Sequence, residues 1–231
     1  MYYRKNAKLM GIVIILAVSM IALLIASFAL SANNGKTYED KVAAFVDENP
    51  TLSKGQIVFL GDSITEGYRL QYYYRNLSLE TYNRGISGDT TNWLLSRLQI
   101  SAFDIAPAKI VLMIGTNDIN GGKNAEEIAI NYEYILSLIA SNLPKTEVLC
   151  VSIIPQNTKY SHNAQENNRL IQETNREIER LALSYGYSYI NLYDELTDKD
   201  GFLKRSYSPD GLHLGAMGYK VWTDVMKEHL E

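Results

Sequence analysis

The chain has 231 residues, a formal net charge of −4, three histidines and a single cysteine. One cysteine excludes an intrachain disulfide. The acidic balance, with no cluster of Lys or Arg beyond the first eight residues, argues against a nucleic-acid partner, whose phosphates must be neutralised.

Residues 1–8 contain Arg4, Lys5 and Lys8 and no acid. Residues 9–30 (LMGIVIILAVSMIALLIASFAL) contain no charge. As a helix they would extend roughly 33 Å, enough to cross a hydrocarbon core. The positive flank predicts a cytoplasmic basic segment followed by a transmembrane signal-anchor helix, with the remainder outside the cytoplasm. The competing reading is a signal peptide cleaved after Ala29-Leu30-Ser31, which gives a secreted protein. Residues 31–37 read as a short polar linker and 38–231 as the folded domain.

Within that domain, 38–49 reads as a helix with Val42, Phe45 and Val46 as its inner face, ended by Pro50. Short apolar runs then alternate with helical stretches. The strand candidates are 57–61 (IVFLG), 80–85 (ETYNRG), 109–115 (KIVLMIG), 147–154 (EVLCVSII) and 187–193 (YSYINLY). Helices are predicted over 65–78, 90–101, 124–141, 164–184 and 215–230. Cys150, inside the fourth run, reads as a small buried hydrophobe. Alternating strands and helices imply βαβ units, and continuous apolar runs imply strands covered on both faces. The expectation is an α/β domain: a three-layer αβα sandwich around a five-stranded parallel sheet of order 2-1-3-4-5. Its site should lie beyond the carboxyl ends of the strands.

Three polar motifs fall at that edge. GDS follows the first strand, GISGD the second and GTND the third. Ser63, between a strand and a helix, is placed either as a nucleophile beside free helical N–H groups or as an ordinary N-cap. The chain has no G-x-S-x-G elbow. Asp210 and His213 share a Pro/Gly loop, SPDGLHLGAMGY (208–219), where a spacing of three can bring carboxylate to imidazole. Asp194 is a rival orienting acid. The Asn117 amide and the Gly88 N–H are candidate donors to an oxyanion. Asp62, Asp89 and Asp118 read as loop-forming carboxylates. Tyr72, Tyr73 and Tyr74 read either as covering the core or as stacking on sugar rings.

Taken together, GDSIT (61–65), NRGISGDTT (83–91), GTND (115–118) and SPDGLHL (208–214) resemble the motif blocks of the SGNH hydrolases, also called GDSL esterases and lipases. The resemblance covers about residues 55–230. It is greatest to the compact lysophospholipase-like and platelet-activating-factor-acetylhydrolase-like esterases. It implies Ser63 as nucleophile, His213 and Asp210 as the rest of a triad, an oxyanion hole from Ser63, Gly88 and Asn117, and no cofactor or metal. The expected activity is cleavage of short-chain carboxylic esters, with O-acetyl groups on extracellular carbohydrates as one target. Alternatives on the same residues are an O-acyltransferase acting on cell-envelope glycans and a lysophospholipase-like lipid esterase. A non-catalytic glycan-binding module would be expected to lose Ser63, Asn117 or His213, and all three are present.

Overall fold

The computed structural model describes residues 37–231. The expected basic segment, the expected transmembrane helix over 9–30 and nearly all of the linker lie outside the described residues. Among the described residues no helix is long and apolar enough to cross a membrane. Val42–Glu231 form one compact unit, and Thr37–Lys41 belong to the unit before it.

Five strands make the sheet: β1 (Ile57–Gly61), β2 (Thr81–Gly85), β3 (Lys109–Met113), β4 (Glu147–Val151) and β5 (Ser188–Ile190). Their order is β2-β1-β3-β4-β5 and every pairing is parallel, as expected. The longer helices are α1 (Tyr38–Glu48), α2 (Thr91–Leu98), α3 (Ala125–Asn142), α4 (Ala164–Ser184) and α5 (Ala216–Leu230).

Residue parity along the strands sorts the core into two layers, because side chains alternate across a sheet. Val58, Leu60, Ile110, Leu112, Val148 and Cys150 pack against apolar residues of α2, α3 and α4, among them Leu94, Ile135 and Ile178. Ile57, Phe59, Val111, Met113, Leu149 and Val151 face the other way, onto Tyr68, Leu70 and, from α5, Trp222 and Met226. The result is the three-layer sandwich. Burial pushes the Cys150 thiol up to about 12, so the group stays protonated and unreactive.

Several elements end sooner than the apolar runs that announced them. β3 stops at Met113, and Gly115 turns the chain at φ 128°. β4 stops at Val151, although Ile153 and Ile154 remain buried. β5 keeps three residues because Asn191 caps a short helix, Leu192–Leu196, through a bond from the Asp194 N–H. The predicted helix over 65–78 is two separate helical turns, Ser63–Glu66 and Leu70–Tyr73, divided at Gly67. α2 follows its prediction but passes into a π-turn over Gln99–Phe103. On α1, Phe45 is buried while Val46 is half exposed, so the predicted inner face is narrower than drawn.

From β1 the chain moves to β2 on one side and then returns to β3 on the other. In an open parallel sheet that reversal leaves a crevice beyond the carboxyl ends of β1 and β3.

Candidate active site

Ser63 opens the helical turn that follows β1 with one residue between. Asp62 is the N-cap, its carboxylate accepting the Ile64 N–H at 2.9 Å. The turn sits so close to the sheet that a Cβ on Gly61 would lie 2.4 Å from the Met113 carbonyl and 2.2 Å from the Thr65 hydroxyl, so no larger residue fits there.

His213 reaches this turn from the loop ahead of α5. Its Nε2 lies 3.0 Å from Ser63 Oγ. Its Nδ1 lies 2.7 Å from Asp210 Oδ2. The loop is folded around the Asp210 carboxylate, whose Oδ1 accepts the N–H groups of Leu212 at 2.9 Å and of His213 at 2.8 Å. Desolvation alone would raise the Asp210 carboxyl. The His213 ring and the two N–H bonds outweigh it and bring the group down to about 2. Asp210 is therefore a carboxylate at neutral pH. The Nδ1 proton belongs on the Asp210 side by this network, which leaves Nε2 facing the serine as an acceptor.

Asn117 stands in the first turn of Thr116–Asn120, directly beyond β3. One of its amide hydrogens goes to the Asp89 carbonyl at 2.9 Å. An amide nitrogen carries two hydrogens, so a second remains to be given. Gly88 is exposed, with φ 81° and open space where a Cβ would stand. Its backbone angle, rather than crowding, is what favours glycine there. The loop carrying Gly88 is fastened at Ser87, whose N–H and hydroxyl both donate to Glu66 Oε2 at 2.6 Å.

The structure thus brings Ser63, His213 and Asp210 into one hydrogen-bonded line, with Asn117 bonded to the residue that follows Gly88. Asp194 takes no part in it, being bonded to Asn191 within its own turn. The remaining motif acids hold loops. Asp118 accepts the Thr91 N–H at 2.8 Å and the Thr91 hydroxyl at 2.7 Å. Asp89 pairs with Arg97. Asp62 caps its turn, and its burial raises the carboxyl to about 7. Of the three tyrosines, Tyr74 is buried and Tyr73 donates to the Ala216 carbonyl, whereas Tyr72 is exposed.

Sequence reasoning passed over Asn157. Its N–H donates to the Gly211 carbonyl at 2.8 Å and its side chain to the Leu203 carbonyl at 2.7 Å, which fixes the loop bearing His213. The available signal was a Gln-Asn pair one proline after the fourth apolar run, at the same sheet edge as the other motifs.

Residues 59–221 match the family model described as GDSL-like Lipase/Acylhydrolase family. Platelet-activating factor acetylhydrolase IB subunit alpha2 of Rattus norvegicus is 30% identical over 166 residues, covering 71% of this chain and 70% of the relative. A solved structure from Streptococcus pneumonia, named for platelet activating factor, is 33% identical with a TM-score of 0.79, covering 92% of this chain and 99% of the other. A GDSL-like lipase from Bacteroides thetaiotaomicron is 25% identical with a TM-score of 0.73, covering 82% and 96%.

Proposed function

The chain belongs to the GDSL-like lipase/acylhydrolase family of SGNH hydrolases and is a carboxylic ester hydrolase, and on that premise we propose that it cleaves short-chain esters by acyl transfer through Ser63, His213 and Asp210. In this reading His213 Nε2 takes the Ser63 proton as Oγ attacks the ester carbonyl. The tetrahedral oxyanion is received by the N–H groups of Ser63 and Gly88 and by the free amide hydrogen of Asn117. His213 then gives its proton to the leaving alcohol. Water, activated by the same ring, releases the acid. Asp210 holds the ring in the useful tautomer and offsets its positive charge.

The observation that carries the reading is the unbroken line from Ser63 Oγ to His213 at 3.0 Å and from His213 to Asp210 at 2.7 Å. A serine hydroxyl is a weak nucleophile unless a base stands within hydrogen-bond reach and is itself oriented by a third group.

Acetyl is the acyl group we favour. The loops after β1, β2 and β3 are short, which leaves little chain to wall a long acyl tunnel. Relatives that carry acetylhydrolase in their names support the same choice. The anchor expected at 9–30 would hold the domain at the outer face of a membrane, within reach of envelope glycan esters.

Ser63→Ala tests the mechanism. Hydrolysis of p-nitrophenyl acetate should fall by at least about 10³ in kcat with the circular-dichroism spectrum unchanged. Retention of more than a few per cent of activity would remove Ser63 from its role. Across p-nitrophenyl esters, kcat/KM should decline from acetyl to octanoyl, and a rise along that series would overturn the short-chain assignment. Running the acetate reaction with an added sugar acceptor separates hydrolysis, which yields free acetate, from transfer, which yields an acetylated sugar.

A further inference from the structure

Arg97 lies on α2, away from the reacting groups, with its side chain only 2% exposed. A guanidinium has five N–H donors, and all five are committed. Nε and Nη2 donate to Asp89 Oδ2 at 2.8 and 2.5 Å. Nη1 donates to the Arg84 carbonyl at 2.9 Å and to the Ser101 hydroxyl at 2.8 Å. Nη2 also donates to the Gly61 carbonyl at 3.1 Å.

The identity of these partners is what matters. Gly61 ends β1, two residues before Ser63. Asp89 follows Gly88, and its own carbonyl accepts the Asn117 amide at 2.9 Å. Arg84 is the penultimate residue of β2, which leads into the Gly88 loop. One planar group therefore joins the nucleophile turn to the loop that carries one candidate oxyanion donor and braces the other. The ends of β1 and β2 and the loop after β2 meet on it, and its fork geometry fixes the spacing between them in a way a single ammonium cannot. A buried ion pair gains little stability over packed apolar side chains, so the choice of partners is the more informative feature of this arrangement.

We propose that Arg97 is a positioning residue for the esterase reaction, setting the distance between Ser63 and the oxyanion donors Gly88 and Asn117. The proposal rests on the reading of those three residues given above. Arg97 touches no reacting atom. It acts through the Gly61 carbonyl and Asp89, and small displacements of donors from a developing charge cost rate far more than binding.

Arg97→Lys keeps a cation for Asp89 but cannot span all of these partners. Active sites are counted by complete labelling with a fluorophosphonate, and kcat for p-nitrophenyl acetate is then expressed per labelled site. We expect kcat per site to fall by about tenfold or more while KM changes by less than about threefold. Ser101→Ala removes the one side-chain partner that lies outside the site loops. It should lower Tm yet leave kcat per site within about twofold of wild type. A purely structural Arg97 would instead lose labelled sites and Tm, with kcat per site intact, and that result would overturn the proposal. Should Arg97→Lys fail to fold, Asp89→Asn, which keeps the shape and removes the charge, is read by the same criterion. Ser63→Ala runs in parallel. If that variant stays active, the underlying reading fails and the positioning role with it. If it is dead while kcat per site is intact in Arg97→Lys or Asp89→Asn, only the positioning role fails.

Discussion

Two aspartates flank the Ser63–His213 pair and are driven in opposite directions. Burial dominates at Asp62 and raises it to about 7, against the pull of the Ile64 N–H, with the Asp89 charge adding to the rise. At Asp210 desolvation is outweighed by three hydrogen bonds, and the group falls to about 2. Asp62 holds its proton more tightly folded than unfolded. Its contribution to stability is complete below pH about 4 and is lost as pH rises through about 7. Asp210 does the reverse, contributing above pH about 4 and losing that contribution as pH falls toward 2. Calorimetry should therefore show Tm declining from pH 4 to 7 in the wild type and a flatter line in Asp62→Asn. An equal decline in Asp62→Asn would rule out Asp62 as its source. Asp210→Asn keeps the shape of the acid and reverses its bond to the ring. It should lower kcat by roughly 10³ to 10⁴. Because Asp210 stays ionised from pH 4 to 8, a fall in wild-type activity within that window belongs to another group.

Among the longer helices, α5 is tied directly to the turn that carries Ser63. Tyr219 of α5 donates to the Ile64 carbonyl at 2.8 Å, and its ring stacks on Tyr68 with centroids 4.9 Å apart. Tyr68 in turn shares its hydroxyl with Tyr74 and Thr223, each at 2.7 Å. Tyr219→Phe keeps the stack and leaves a buried carbonyl without its donor. It should cost about 1–3 kcal/mol in urea unfolding. A change within experimental error would show that the bond contributes nothing. This aromatic layer also explains why the sequence between β1 and β2 reads as one helix although the chain forms two turns. Apolar and aromatic residues over 65–78 fit a helical stripe, but Gly67 divides them. Tyr68, Leu70 and Tyr74 then reach the core from separate turns. The apolar runs extend past the strand ends for a related reason. Apolar residues record burial, and Ile153 and Ile154 are buried without belonging to a strand. The motif loops were legible because each needs an unusual residue at a turn: glycine at 61, closing β1, for close approach, glycine at 88 for its backbone angle, and Pro/Gly around Asp210 ahead of α5. Arg97 was not legible. Two of its partners are backbone carbonyls distant in sequence, and a carbonyl leaves no trace in residue identity.

At the scale of the whole molecule, sheet order decides where chemistry can happen. β1 and β3 are neighbours only because the chain reverses direction after β2, and their carboxyl ends deliver Ser63 and Asn117 to one rim. His213 arrives at that rim from 150 residues beyond Ser63. The basic flank and apolar run of residues 1–30 add an expectation of location. The full chain should remain with membranes after alkaline carbonate extraction, and a chain starting near residue 36 should not. Recovery of the full chain in the supernatant would leave the secreted reading.

Peptide mapping after treatment with a fluorophosphonate reads the shared rim most directly. One adduct is predicted, on the hydroxyl of Ser63, formed quickly in the wild type and far more slowly in His213→Ala. An adduct on a different residue, or labelling of Ser63 at an undiminished rate in His213→Ala, would contradict a serine activated by that histidine.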